Sequence, residues 1–417
     1  MSAYFNIVTG QALFNQRIRL MCACSLLKVN ICNFEIKLLT PNEKIPDNQM
    51  KRIKRKAVAL LIVLCKIFMP EKYFDSIYLP DFFNSKDLNK LSLREKIWCL
   101  KRGFLPYEFI WYDLAHNDFK KYVPARNNYQ NRRLNGSFNA ILSNKILFEK
   151  HIKTVTYGID KLHTVESIGL IEKGYLMSLQ KDIIQGNYSS LLPFLEKNDL
   201  VIKPVSGDGG RGVFLIKKKD DIFLLDNKKV DWNELVATLK KLDEYLIQER
   251  IIQQGFANKI YEGSVNSMRI ATMIDPVTKQ PFIAYAVHRF GSLQSCNIDN
   301  ISSGGIGAMI DLSDGLLSHG LHFSSDGEKE TYYIHPVSLN PICNQKIPDW
   351  ENLTKRLLEM AGRMPYLKYV GWDIILSDDE LLVLEGNVSP HLDLVQMFKP
   401  AEEFPAAWNF FKHYKYI

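Results

Sequence analysis

Near the C-terminus, Gly371-Trp372-Asp373-Ile374-Ile375-Leu376 is followed by Ser377-Asp378-Asp379-Glu380 and then by Leu381-Leu382-Val383-Leu384-Glu385-Gly386-Asn387. Two apolar runs flanking a polar turn read as a β-hairpin. Folding back at that turn sets Asp373 opposite Leu384 or Glu385. Glu385 and Asn387, two apart on one strand, point to the same face. Three oxygen-bearing side chains therefore converge on one spot of an otherwise apolar hairpin. Buried carboxylates need a cation or another partner, and two carboxylates with an amide suit a hard ion such as Mg²⁺ that also holds phosphate oxygens. The plainer alternative is a pair of edge carboxylates beside a turn. The acids interrupt the strands instead of sitting in the turn, which favours Asp373, Glu385 and Asn387 as metal ligands.

The chain of 417 residues is long enough for two or three domains, and 46% apolar with 12% aromatic residues suffices for full cores. The net charge of +7 is mild for this length and favours anionic ligands such as nucleotides. No nucleic-acid-binding motif accompanies it, so nucleic acid is not expected as a partner. Seven scattered cysteines, Cys22, Cys24, Cys32, Cys65, Cys99, Cys296 and Cys343, include no CxxC pair. Zinc ligation is therefore not expected, and a reducing compartment is. No secretory signal is evident at the N-terminus. The most apolar run, Ala57 to Met69, is interrupted by Lys66 and is too short to cross about 30 Å of hydrocarbon. It reads as a buried core helix. The basic residues Lys51, Arg52, Lys54, Arg55 and Lys56 before it leave a membrane-surface helix as the alternative. The expected location is cytoplasmic, with peripheral membrane association as the variant.

Residues 1–140 read as mainly helical. Ser92-Leu93-Arg94-Glu95 forms a capping box and Gly103 a stop, Asn127 to Asn139 reads as a loop, and Ser143 is expected to cap a short helix carrying Lys145. Past residue 160 the texture changes to strands, at 201–204, 213–218, 222–226, 245–250, 268–275 and 281–290. Helices intervene after Asp231-Trp232-Asn233-Glu234 and from Glu351 to Arg363. The fold class is α+β.

Ser206-Gly207-Asp208-Gly209-Gly210-Arg211-Gly212 contains the literal pattern G-x-G-x-x-G. A dinucleotide fingerprint requires a helix straight after the last glycine, whereas Val213-Phe214-Leu215-Ile216-Lys217 is strand-like. Strand, glycine loop, strand is instead a flap whose backbone N–H groups approach phosphates closely. Lys203, between Ile202 and Pro204 on the strand feeding the loop, can reach a phosphate as a point charge. A solvated lysine beside an ordinary hairpin is the alternative. Leu246-Ile247-Gln248-Glu249-Arg250-Ile251-Ile252 can run along an adenine as a hinge strand, or be a plain sheet strand.

This order of features resembles the ATP-grasp superfamily, and more closely its sugar-transfer-associated members, which occur with polysaccharide and cell-surface biosynthesis systems. The resembling stretches include Gly263-Ser264-Val265-Asn266-Ser267-Met268-Arg269-Ile270, Asn297-Ile298-Asp299-Asn300, Gly304-Gly305, His335-Pro336, Pro348-Asp349-Trp350, Gly371-Trp372-Asp373 and Glu385-Gly386-Asn387-Val388-Ser389-Pro390. Together they cover roughly residues 100 to 400. The resemblance implies two α+β lobes clamping ATP between antiparallel sheets: a small lobe at 141–250 and a large lobe at 251–417. It implies Lys145 and Lys203 on the phosphates, a flap containing Gly207, Gly209, Gly210 and Gly212, Glu249 and Ile251 at the adenosine, and Mg²⁺ on Asp373, Glu385 and Asn387. Where related proteins often have Asn-Pro-Gly after Glu-x-Asn, this chain has Val388-Ser389-Pro390-His391.

Enzymes of this superfamily typically join a carboxylate to an amine through an acyl phosphate. The expected substrates are small-molecule carboxylates and amines, among them an amino acid and a sugar precursor of a surface polysaccharide. Because charge builds on the transferring phosphoryl group, cationic clamping dominates. Arg269 suits the γ-phosphate and Arg289 the substrate carboxylate, with a sheet-rim ion pair as the alternative for both. His288 reads as a buried strand histidine before a base. His391 could deprotonate the attacking amine, and Asn266 and Asn300 either orient substrate or form turns. A phosphotransferase on the same fold is the competing function. A non-catalytic glycan-assembly partner, whose N-terminal region docks to membrane or a glycosyltransferase, is a third.

Overall fold

The computed structural model describes residues 77–207, 212–220, 222–295, 298–323, 328–388 and 390–417. Cys22, Cys24, Cys32, Cys65 and Cys296, the run Ala57 to Met69 with its basic flank, Gly209 and Gly210, Asn297 and Ser389 lie outside the described residues. Among those described, Cys99 and Cys343 are free thiols and no helix is long and apolar enough to cross a membrane.

Two compact units are present. The smaller takes the described residues up to Asp118 together with Pro124–Gln130, so it ends ahead of the residue-140 boundary read from sequence. The expected capping box starts its helix Leu93–Arg102: Ser92 N–H donates to Glu95 Oε2 at 2.7 Å and Glu95 N–H to Ser92 Oγ at 3.3 Å. Gly103, at φ +85°, ends that helix in the left-handed region that glycine adopts freely. The buried Glu108 is satisfied by Leu105 N–H at 2.8 Å, Ala125 N–H at 3.1 Å and the Tyr112 hydroxyl at 3.3 Å.

The larger unit holds fifteen strands among the described residues. They are β1 (Leu162–Thr164), β2 (Ser167–Glu172), β3 (Tyr175–Ser178), β4 (Leu200–Pro204), β5 (Phe214–Lys219), β6 (Ile222–Leu225), β7 (Lys228–Val230), β8 (Tyr245–Glu249), β9 (Met268–Ile274), β10 (Pro281–Phe290), β11 (Ile306–Ile310), β12 (Leu317–Phe323), β13 (Lys329–Tyr332), β14 (Tyr369–Ser377) and β15 (Glu380–Asn387). A seven-stranded sheet has the order β3-β2-β8-β4-β5-β6-β7, and an eight-stranded sheet the order β1-β15-β14-β9-β10-β11-β12-β13. Every pairing is antiparallel except β1 with β15.

Each sheet has its own core. Leu235 and Leu239 of helix Trp232–Leu239 pack with Ile168, Leu200, Ile202, Ile216 and Ile247 on the smaller sheet. Leu353, Leu357 and Met360 of helix Trp350–Gly362 pack with Ile270, Ala286 and Val370 on the larger. Each fully buried aliphatic side chain contributes about 1.5–3 kcal/mol. Phe148 and Ile152 of helix Lys145–Val155, and Leu162 of β1, belong to the core of the larger sheet, although the sequence grouped residues 141–164 with the smaller one.

Two local expectations are corrected. The segment Asn127 to Asn139 is not an open loop: helix Ala125–Gln130 runs into it, and short 3₁₀ turns at Asn131–Arg133 and Gly136–Phe138 follow. Asn135 is buried there because its amide mimics a strand neighbour, donating to Tyr369 O at 2.9 Å and accepting from Tyr369 N–H at 3.2 Å. The cap of helix Lys145–Val155 is Asn144, whose Oδ1 accepts from Ile146 and Leu147 N–H at 3.0 and 3.1 Å; Ser143 ends the preceding helix.

Candidate active site

The hairpin register decides between the two positions opposite Asp373. Asp373 pairs with Glu385 and Ile374 with Val383, so a bulge leaves Leu384 as the extra residue. Bulges re-aim side chains beside functional sites, and here one aligns Asp373 with Glu385. Gly371 pairs with Asn387, and Asn387 Nδ2 donates to Gly371 O at 3.3 Å.

On its other side β14 meets β9, where Asp373 faces Arg269. Arg269 Nε donates to Asp373 Oδ1 and its Nη2 to Oδ2 at 3.2 Å. From β10, Arg289 Nη2 donates to the same Oδ2 at 3.0 Å. Burial opposes ionisation of Asp373, but the two guanidiniums outweigh it and hold its carboxyl well below the usual range. Glu385 behaves oppositely: burial first, then the neighbouring Asp373 charge, push its pKa up. The pair is thus held with Asp373 ionised, and Glu385 is the easier of the two to protonate.

From the smaller sheet β4 presents Lys203, on which the charges of Glu385, Lys145 and Glu149 act. Burial lowers its pKa to about 8, Glu385 opposing and Lys145 adding to the effect. Lys145 opens its helix against the base of the glycine turn: its N–H donates to Val205 O at 3.1 Å and its Nζ to Gly207 O at 2.8 Å. Gly207 (φ +121°) and Gly212 (φ +74°) adopt backbone conformations that favour glycine, and a Cβ at Gly212 would come 2.9 Å from the Tyr245 hydroxyl. The expected order of strand, glycine turn, strand is β4 and β5.

The remaining expected residues divide. Glu249 is exposed at the end of β8, and Ile251 is half-buried just beyond it. His288 is buried and stacked on Phe290 with ring centroids 4.4 Å apart, and burial depresses its pKa to about 3. That is a neutral packing histidine, not a base. Asn266 is fully buried and ties loops together, donating to Tyr261 O at 2.6 Å and accepting from Ser264 Oγ at 2.7 Å. Asn300 caps a 3₁₀ turn through Ser302 N–H at 3.1 Å. His391 is exposed, with φ +59° and Nδ1 3.6 Å from Asp393.

Several neighbours escaped the sequence reading. Glu149 is buried and accepts from Ser167 N–H at 3.0 Å, but its helical spacing gives no sign of this. Gln248, beside the expected Glu249, is buried and donates to Ser167 Oγ at 3.0 Å. Asp299 accepts from Ser267 N–H at 2.9 Å and lies 3.4 Å from Arg289 Nη2. No local pattern announces that contact.

Among the described residues, no group of three or more His, Cys, Asp and Glu side chains is placed to hold a metal ion. The donor set for a hard cation is two carboxylates and an amide. Glu385 and Asn387 fit: both are half-buried on one strand, Asn387 Nδ2 lies 3.5 Å from Glu385 Oε1, and Glu385 faces Asp373 across the hairpin. Asp373 has both oxygens bonded by guanidiniums. Two surface clefts, one around Glu196, Asp199, Lys218 and Arg250 and one around Leu293, His322 and Tyr332, lie apart from this cluster. Buried titratable groups that perturb one another cluster at functional sites, and this cluster is of that kind.

Residues 125–407 match the family described as sugar-transfer associated ATP-grasp. Compared with curated proteins, the chain finds no match. Similar solved structures include an ADP complex of N5-carboxyaminoimidazole ribonucleotide synthetase, 8% identical over 61% of this chain and 46% of that one, with a TM-score of 0.35. D-alanyl-alanine synthetase A from Vibrio cholerae is 10% identical over 65% of each chain, also with a TM-score of 0.35. D-alanine–D-alanine ligase from Bacillus anthracis is 14% identical over 66% of this chain and 69% of that one, with a TM-score of 0.31. The chain thus spans less than two thirds of the first two of these proteins.

Proposed function

The chain belongs to the sugar-transfer associated ATP-grasp family, and we propose that it is an ATP- and Mg²⁺-dependent carboxylate–amine ligase that attaches an amino acid to a sugar or precursor of a cell-surface polysaccharide. The observation that carries this reading is the cluster of Glu385, Asp373, Arg269 and Arg289 on the larger sheet, with the charge of Lys203 from the smaller sheet acting on Glu385. A phosphoryl group in transfer gathers negative charge, and a site that clamps it needs fixed cations around an acid-lined cation seat.

A carboxylate is a poor acyl donor because its leaving group would be oxide. Attack of its oxygen on the γ-phosphorus of ATP forms an acyl phosphate and releases ADP. An amine nitrogen then attacks the acyl carbon, forming the C–N bond as the C–O bond to phosphate breaks. Lys145 and Lys203 neutralise the phosphates, with Gly207 and Gly212 beside them. Arg269, a planar fork, takes the transferring group, and Arg289 takes the substrate carboxylate. Glu249 and Ile251 flank the adenosine. Mg²⁺, held by Glu385, Asn387 and Asp373, would screen the charge of the β- and γ-phosphates.

The test is a screen of amino acids and nucleotide-activated sugars for ADP release, with hydroxylamine present. A ligase yields a hydroxamate from the trapped acyl phosphate; a phosphotransferase does not. Glu385→Gln should lower Mg²⁺-dependent ATP turnover by about 10²-fold or more with an unchanged circular dichroism spectrum. Full turnover in that variant would refute the site.

A further inference from the structure

Arg289 is held in an unusual way. It is 9% exposed, yet among the described residues one nitrogen carries the contacts of its guanidinium: Nη2 donates to Ser267 Oγ and to Asp373 Oδ2 at 3.0 Å, and lies 3.4 Å from Asp299 Oδ2. Its Nε is buried and meets no acceptor among the described residues. A buried donor left unbonded is costly, so this orientation persists only because the other end of the guanidinium is fixed.

What fixes it is a chain with one sense of donation. The Ser267 hydroxyl has a single proton, which goes to Asp299 Oδ2, and Ser267 N–H donates to the same oxygen at 2.9 Å. Its lone pair is then free to accept from Arg289 Nη2. The backbones are tied as well, Arg289 N–H donating to Ser267 O at 2.8 Å. Asp299, from the loop after β10, and Asp373, from β14, thus both meet Arg289 at Nη2.

We infer that Ser267 and Asp299 are a positioning pair that holds Arg289 with its Nε–H presented to an oxyanion of the second substrate. That oxyanion is the carboxylate of the free acid or the phosphate of the acyl phosphate made from it. The inference rests on the ligase reading of this site, and it names the two residues that would orient Arg289 toward the substrate oxyanion. A guanidinium with one nitrogen saturated and an adjacent N–H open accepts a planar anion along that edge.

The experiment is side-chain ¹⁵Nε–¹H NMR on the full chain, with the Arg289 signal assigned by its disappearance in Arg289→Lys. Acetate and inorganic phosphate are titrated separately. The wild type should give an Arg289 Nε–H signal that shifts with one or both anions. Asp299→Asn and Ser267→Ala should abolish the shift, while Ser267→Thr, which keeps the hydroxyl, should retain it. A shift with acetate alone identifies the free acid as the ligand, and a shift with phosphate alone the phosphoryl group. An absent shift in the wild type, or an undiminished shift in both Asp299→Asn and Ser267→Ala, overturns the inference. Mg²⁺-dependent binding of fluorescent mant-ADP, compared between wild type and Glu385→Gln, reports on the nucleotide reading separately. Undiminished binding in Glu385→Gln would sink that reading whatever Arg289 does.

Discussion

At the scale of single residues, Lys203 gives the clearest dependence on pH. Its pKa falls from 10.5 to about 8 on folding because burial disfavours the ammonium. Below about pH 8 both folded and unfolded chains hold the proton, and the folded state bears the whole penalty. Between about 8 and 10.5 the unfolded chain binds more protons, so stability rises with pH across that window. Activity should move the other way. As Lys203 loses its charge above about pH 8, kcat/KM for ATP should fall. In Lys203→Arg, which stays charged, that fall should move to higher pH, and a pH–rate profile checks it. Asp373→Asn would leave two buried guanidiniums facing an amide, and urea unfolding should show a loss of about 3–5 kcal/mol. The acids of the hairpin were legible because they interrupt apolar strands. Ser267, Asp299 and Glu149 were not, because their partners lie far away in sequence and only the closed sheet brings them together.

At the scale of elements, Gly371 sets how closely the loop after β15 can approach. A Cβ there would come 2.8 Å from Pro390 Cβ, 2.9 Å from its Cα and 3.0 Å from Arg269 Cδ. Pro390 O also accepts from Arg269 Nη1 at 3.4 Å. Gly371→Ala should therefore push Pro390 and Arg269 apart and lower stability by about 1–3 kcal/mol, the usual cost of overpacking, as measured by thermal denaturation. Asn144→Ala should remove about 1 kcal/mol from helix Lys145–Val155 and loosen Lys145, seen as weaker nucleotide binding by calorimetry. Helix ends and hairpins were largely readable, since caps and turns are local chemistry. The Asn-rich stretch was misread because asparagines that usually signal turns here include Asn135, which serves as a backbone surrogate for Tyr369.

At the scale of the whole molecule, the α+β class and the two sheets follow from strand-rich sequence after residue 200, but their membership does not. A short strand such as β1 has no pattern to say which sheet will receive it; that is decided by its pairing with Leu381, Leu382 and Val383. Every residue assigned to the site lies between Lys145 and Asn387. Deleting residues 1–76 should therefore leave Mg²⁺-dependent mant-ADP binding within about twofold of the full chain, and a larger loss would assign those residues a part in the site. The parallel seam has a mechanical corollary. β1 is bonded to the strand that carries Glu385, and only Val165 and Glu166 separate it from β2, where the other sheet begins. A rocking of that sheet about this splice would grow along the strand order from β2 through β8 and β4 to β7, so β7 would swing farthest and Lys203, on β4, less.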